Sequence, residues 1–371
     1  MMKKKIILIF WILVMIIGLI FLFVKNVSAQ SIPTINSQCA VLIESHSGRV
    51  LYEKNAHLQR PVASISKIMT AIIAIEEGYL EEYIEISEEA TRQVGSSLYL
   101  KKGDKLKLID LIYGLLLRSG NDAAYAIGEG VAGSVSNFVY LMNEKAKELG
   151  LKNTVFENPS GLDEDSKNLS TAYDFALITR YAMNNPIYRK INNTSVYHAE
   201  SLNGERYTWY NKHRLINKYD FVIGGKTGYT RLAHRTLVSV GKKADLELIV
   251  VTLNGVNDWE EHLALLNYGF KEYEMVTLLR KGLFEVKELN KIFYLDDKIA
   301  YPLREEEFNQ YRFFIDVDNH ERYYLHLIKD GEILLTKEIY PYDKSYSVLD
   351  NSFTILDLGE ELMRTIRDIL W

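Results

Sequence analysis

The sequence predicts an α/β sandwich, an antiparallel sheet flanked by helices plus a helical lobe, followed by a small all-β domain and a C-terminal amphipathic helix. Three observations carry that expectation. Strand-like runs sit near both ends of residues 36–274 (40–54, then 222–228, 235–241 and 246–254) with helical patterns between, so one sheet draws on both ends of that stretch. Across 275–350 the pattern changes to short alternating segments, and the last two, Tyr323–Ile328 and Ile333–Leu335, flank Asp330-Gly331 as a hairpin would. Within 352–371, Ile355, Leu356, Leu358, Leu362, Met363, Ile366, Ile369 and Leu370 share one side of a helix, opposite Asp357, Glu360, Glu361, Arg364, Arg367 and Asp368.

At the N-terminus, Met1-Met2-Lys3-Lys4-Lys5 precedes an apolar run from Ile6 to Val24 and then Val27-Ser28-Ala29, the pattern of a signal peptide over 1–29. The 19-residue apolar run is also long enough for an uncleaved anchor. Lysines on the retained side put the rest of the chain outside the cytoplasm in either case. Losing 1–29 removes four lysines and no acidic residue, which takes the net charge from −5 to −9. An acidic chain without basic clusters makes a poor nucleic-acid binder. The lone Cys39 lies in a strand-like apolar run and reads as core, and the eight histidines, lacking metal-ligand spacing, read as scattered polar surface.

After the break Arg60-Pro61-Val62-Ala63, Ser64 opens a helical pattern through Ile65, Ile68, Met69, Ile72 and Ile73. Ser64 and Lys67, three apart, share a face of that helix. A serine there is ordinarily an N-cap, but capping gives no reason for Lys67, since the helix dipole disfavours a cation in the first turn. The pair instead suits nucleophilic catalysis: a serine hydroxyl needs a base, and a lysine serves when burial, the helix N-terminus or a second cation keeps it neutral. Lys226 is the candidate second cation. Another S-x-x-K, Ser239-Val240-Gly241-Lys242, lies between strand-like runs and has no such helix.

Ser119-Gly120-Asn121 follows the apolar stretch Leu111–Leu117 and precedes Ala123–Ile127, which places it in a tight connection between helices. By itself it reads as a turn with a cap. S-x-N recurs at Ser166-Lys167-Asn168 and Ser201-Leu202-Asn203, whereas Lys226-Thr227-Gly228 occurs once, in the glycine-rich strand pattern Phe221–Thr230. Glycine inside a strand marks a bulge or the close approach of a backbone or ligand. Helix 259–273, with Trp259, Leu263, Leu266 and Phe270 on one side, closes the first unit.

With these motifs in hand the chain resembles the serine penicillin-binding proteins, specifically the low-molecular-weight D-alanyl-D-alanine carboxypeptidases (peptidase S11 type), and among them the sporulation-associated Gram-positive members. The likeness spans roughly 38 to 275. It includes Ala40–Ile43 with Ser47–Ala56, Leu117–Ala124, Phe156-Glu157-Asn158-Pro159-Ser160-Gly161-Leu162-Asp163, Ser170–Asp174 and Gly225–Thr230.

The resemblance implies a fold of the β-lactamase/transpeptidase-like type and a set of roles. Ser64 attacks the carbonyl between the terminal D-alanines of a peptidoglycan stem peptide, and Lys67 takes its proton. Ser119 and Asn121 relay a proton to the leaving D-alanine. Lys226, Thr227 and Gly228 belong to the substrate-binding strand, with Lys226 and Thr227 holding the substrate carboxylate. The backbone N–H groups of Ser64 and Tyr229 form the oxyanion hole. It further implies β-lactams as inhibitors trapped at Ser64, no metal or organic cofactor, and a terminal helix on the outer membrane surface. The net acidic polar face of 352–371 leaves packing on the β domain or on a second copy as the alternative.

Two departures stand out. Family members often carry histidine around Ser160 and Asn168, where this chain has none. Glu164 and Asn168 also give an E-x-x-x-N pattern suited to a class A-like β-lactamase, an alternative opposed by the adjoining Ser170–Asp174. A penicillin sensor without turnover is the second alternative. Oligomeric state is not legible.

Overall fold

The computed structural model describes residues 32–163, 167–342 and 352–354. β1 (Cys39–Glu44) and β2 (Val50–Lys54) form the opening hairpin, and the longer helices that follow are α1 (Lys67–Glu77), α2 (Leu108–Arg118), α3 (Asn121–Ala132), α4 (Val135–Glu148), α5 (Ala172–Asn184) and α6 (Pro186–Asn192). The chain then returns to the sheet through β3 (Val222–Thr230), β4 (His234–Lys243) and β5 (Leu246–Gly255), and α7 (Asp258–Glu272) follows. The strand order is β2-β1-β5-β4-β3, antiparallel throughout, and the two ends meet where β1 pairs with β5 from Cys39↔Leu253 to Glu44↔Leu248.

β1 reads Cys-Ala-Val-Leu-Ile-Glu without alternation because both of its faces are covered. Successive side chains leave opposite faces of a strand. Cys39, Val41 and Ile43 therefore enter the core shared with the helical lobe, while Ala40 and Leu42 enter the core that includes Leu265 and Leu266 of α7. Cys39 is buried as expected, and burial pushes its thiol upward.

α1 buries Ile68, Met69, Ile72 and Ile73, each worth about 1.5–3 kcal/mol when removed from water. Its start differs from the sequence reading. Ala63–Ser66 form a single 3₁₀ turn and the α-helix begins at Lys67, because Ala63 sits at φ 52°, outside the helical path. The turn is pinned from three sides: Thr236 Oγ1 donates to the Val62 carbonyl (2.9 Å), Ser66 Oγ to the Ala63 carbonyl (2.8 Å), and Asn168 Nδ2 to Ser66 Oγ (3.0 Å).

After α7 come β6 (Glu274–Leu279), β7 (Gly282–Val286), β8 (Lys291–Leu295), β9 (Ile299–Leu303), β10 (Arg312–Val317), β11 (Tyr323–Lys329), β12 (Glu332–Pro341) and β13 (Ser352–Thr354). β6 pairs with β9, and the others run β10-β11-β12-β8-β7-β13. The β11–β12 hairpin turns on Asp330 and Gly331, both at positive φ (50° and 86°), the geometry that matches strand twist. Ser352–Thr354 correct the expected helix over 352–371: their backbone adds to β7 in parallel, from Leu283↔Ser352 to Glu285↔Thr354. The remainder of that segment, the leader over 1–29 and Glu164–Ser166 lie outside the described residues. Among the described residues no helix is long and apolar enough to cross a membrane.

Arg49, in the turn before β2, ties the first sheet to the strands beyond α7. Its guanidinium makes two bonds to Glu307 (2.9 and 2.6 Å) and one to the Pro302 carbonyl, and lies 5.3 and 5.4 Å from the ring centres of Tyr273 and Tyr301. Burial alone would raise the Glu307 carboxyl, but bonds from Arg49, the Arg304 backbone and Lys329 bring it down to about 2. Glu307→Gln should cost roughly 2–4 kcal/mol at pH 7, solvent screening keeping it below the fully buried limit. A depressed carboxyl stabilises above its unfolded pKa, so the difference between the two proteins should shrink as pH falls from about 4.5 toward 2. Urea unfolding at pH 7 and pH 3 checks both statements.

Candidate active site

Ser64, Lys67, Ser119, Asn121 and Lys226 come from three separate elements and meet in one place. Lys67 begins α1 and is fully buried. Its Nζ lies 3.2 Å from Ser64 Oγ, 2.7 Å from Asn121 Oδ1 and 2.5 Å from the Ser160 carbonyl. A neutral amine has two N–H bonds and one lone pair. The amide oxygen and the carbonyl can only accept, so they take the two hydrogens and leave the lone pair for the Ser64 hydroxyl.

Asn121 cannot turn its amide around, because its Nδ2 donates to the Val94 carbonyl (2.6 Å). The backbone beside it is fixed too. Its N–H donates to the Ser96 carbonyl (2.7 Å), while neighbouring Asp122 accepts from Ser97 Oγ (2.6 Å) and the N–H groups of Leu98 (3.0 and 2.9 Å) and Leu100 (3.3 Å). Ser119 closes α2 in the left-handed region (φ 67°), so the chain reverses within two residues into α3.

Lys226 reaches in from β3, the edge strand, and donates to Ser119 Oγ (2.9 Å) and to the Thr227 carbonyl (2.8 Å). The Gly225 N–H leaves the free edge of β3 toward Asn192 Oδ1. By the two-residue alternation of a strand, the N–H groups of Thr227 and Tyr229 leave that edge as well. Gly228 lets the edge come close: a Cβ there would stand 3.0 Å from the Ser64 nitrogen and 2.3 Å from Thr236 Oγ1. The amides of Ser64 and Tyr229 thus border one corner beside the Ser64 hydroxyl, with Tyr229 itself exposed.

The electrostatics add a third lysine to the pair. Burial is the first cause that lowers Lys67, to about 7, and the like charge of Lys212 adds to it while Asp122 opposes. Lys226 and Lys67 disfavour each other's charge, and Lys226 is held well below the ordinary lysine range by burial, then by Lys67 and Lys212. Lys212 escaped the sequence reading because it belongs to no motif. It follows the hairpin made by Val196–Glu200 and Arg206–Tyr210, donates its N–H to the Leu117 carbonyl (3.0 Å) and its Nζ to Ser96 Oγ (3.2 Å).

Asn168 accepts from the N–H groups of Glu157 (2.8 Å) and Asn158 (3.1 Å), bracing the turn that offers the Ser160 carbonyl. The competing motifs fall elsewhere. Ser239 is buried and Lys242 exposed on β4, where residues three apart face opposite ways. Leu202 and Asn203 sit in the turn between Glu200 and Arg206. Among the described residues no group of three His, Cys, Asp or Glu side chains is arranged for a metal.

A serine and a buried lysine lie under an α/β sandwich and face a lysine-bearing edge strand. The chain belongs to the peptidase S11 family, D-alanyl-D-alanine carboxypeptidase, whose profile matches residues 26–257. It is 34% identical over 254 residues to the D-alanyl-D-alanine carboxypeptidase DacF of Bacillus subtilis, covering 66% of this chain and 65% of that one, just under two thirds of the relative's length. A crystal structure of a D-alanyl-D-alanine carboxypeptidase from Mycobacterium tuberculosis superposes with a TM-score of 0.63 at 30% identity, over 67% of this chain and 96% of that one. The carboxypeptidase DacD of Francisella tularensis, at 22% identity, shares the fold over 86% of this chain and 98% of its own (TM-score 0.66).

The Lys67 amine should titrate near pH 7, visible as a moving side-chain NMR signal that Lys67→Met removes. Because Lys212 pushes Lys67 down, Lys212→Met should shift that titration to higher pH. A Lys67 signal unmoved by the substitution would show that burial acts alone.

Proposed function

We propose that this chain is a serine-type D-alanyl-D-alanine carboxypeptidase that removes the terminal D-alanine from peptidoglycan stem peptides. The observation that carries the reading is the three-way contact of Lys67 Nζ with one hydroxyl and two acceptors. Neutral Lys67 takes the Ser64 proton as Oγ attacks the carbonyl between the two D-alanines, and negative charge develops on the carbonyl oxygen. The N–H groups of Ser64 and Tyr229 receive that charge, one such donor being worth about 3 kcal/mol of barrier. Lys226, Thr227 and the Gly228 edge hold the peptide and its free carboxylate. The proton passes from Lys67 by way of the Ser119 hydroxyl to the departing amine, while Asn121 orients the peptide, and the amine leaves as D-alanine. Water then attacks the acyl-Ser64 ester and restores the hydroxyl. A β-lactam meets the same nucleophile and stays attached, because its amine remains tethered and obstructs water.

Residues 36–274 form the peptidase domain in this reading and 275–350 a small β-rich domain that spaces it from the membrane surface. The leader exports the chain, which acts on stem peptides at the outer face of the cytoplasmic membrane.

Purified protein incubated with labelled penicillin should carry the label on Ser64 and should release D-alanine from a D-Ala-D-Ala peptide. Ser64→Ala should abolish both, and Lys67→Ala should slow acylation by about 10²–10⁴-fold, the usual contribution of a positioned base. Rapid penicillin turnover without D-alanine release would favour the β-lactamase, and a stable label without release from any stem peptide the sensor.

A further inference from the structure

We infer that His213 is a positioning residue for the substrate-binding strand, bracing Lys226 from behind through the buried chain His213–Ser239–His262–Thr252; the inference rests on the function proposed above. The histidines are not all surface residues as the sequence suggested. His213 is 1% exposed and His262 fully buried.

The His213 ring sits in a notch that only glycine leaves open. A Cβ on Gly225 would stand 2.4 Å from His213 Nε2, and Gly225 adopts φ +153°, a conformation side chains rarely take. His213 Nε2 lies 3.0 Å from the Val238 carbonyl and 3.0 Å from Ser239 Oγ. Val238 and Ser239 are the register partners of Lys226 and Gly225. The imidazole therefore grips β4 directly opposite the lysine.

The tautomers follow from the partners. A carbonyl only accepts, so His213 Nε2 carries the proton. Ser239 Oγ also lies 2.8 Å from His262 Nδ1, and His262 Nε2 lies 2.9 Å from Thr252 Oγ1. The chain thus links the segment before β3 to β4, α7 and β5. Burial, with Lys226 nearby, lowers His213 to about 4, which keeps the ring neutral beside the lysine.

β3 needs such a brace. It has a neighbour strand on one side only, and Gly224, Gly225 and Gly228 deprive it of side-chain packing. Lys226 projects from the opposite face to reach Ser119 Oγ. A displacement of about 1 Å at a substrate-holding group can cost on the order of 100-fold in rate. Ser239, the serine of the competing S-x-x-K, finds its use here.

The test compares wild type with His213→Leu, which keeps bulk without a donor, and His213→Gln, whose amide reaches the Nε2 position. Acylation rates are measured with a labelled penicillin and with its methyl ester, which lacks the carboxylate that Lys226 holds; thermal unfolding monitors folding. Leucine should slow acylation by the free acid about 10- to 100-fold and by the ester less than about threefold. Glutamine should stay within about threefold of wild type on both. Equal losses on acid and ester, or a wild-type rate in the leucine protein, would overturn the inference. Should the leucine protein fail to fold, a glutamine protein as slow as His213→Asn, whose amide is too short to reach Val238, would overturn it as well. Wild type that takes no label at Ser64 would instead defeat the functional reading, and the inference with it.

Discussion

A lysine amine taken out of water and given two fixed acceptors is the constraint around which this molecule is arranged. Burial removes the solvation that makes lysine a cation, and it brings Lys67 to about 7. The Asn121 amide and the Ser160 carbonyl then orient what remains. Each acceptor needs its own support. Asn121 is held through Val94 and Ser96, and the Ser160 turn through Asn168. The polar network around the site is extensive because every buried group in it must be satisfied.

The second requirement is close approach. Ser64 stands on a 3₁₀ turn that starts from a left-handed alanine, and the facing strand carries glycine at 224, 225 and 228. Such a strand gains little from packing. Its position comes from hydrogen bonds: Gly225 to Asn192 on the free edge, the β4 ladder on the other, and Thr236 closing the corner through the Val62 carbonyl. Rigidity at the site is therefore borrowed from neighbouring elements.

Beyond α7 the architecture is tied differently. Arg49 combines an ion pair with two aromatic faces, a geometry that planar guanidinium supports and ammonium does not. One residue from the first hairpin thereby engages β9, through Pro302, and Glu307 just after it.

The sequence by itself determined the sheet built from both ends of the first stretch, the helices between, and the Ser64–Lys67, Ser119–Asn121 and Lys226–Gly228 motifs, because periodicity and short spacings are local properties of a chain. It also separated Ser64–Lys67 from Ser239–Lys242, since a helix and a strand aim residues i and i+3 differently. It misjudged what depends on distant partners. The 3₁₀ start before Lys67 is set by contacts from residues 168 and 236, and Ser352–Thr354 became strand because β7 offered an open edge. Lys212, which belongs to no motif, adds to the lowering of Lys67, and His213 and His262 are buried instead of exposed. Those outcomes rest on electrostatic reach and burial, which are properties of three-dimensional neighbours, and no spacing along the chain records them.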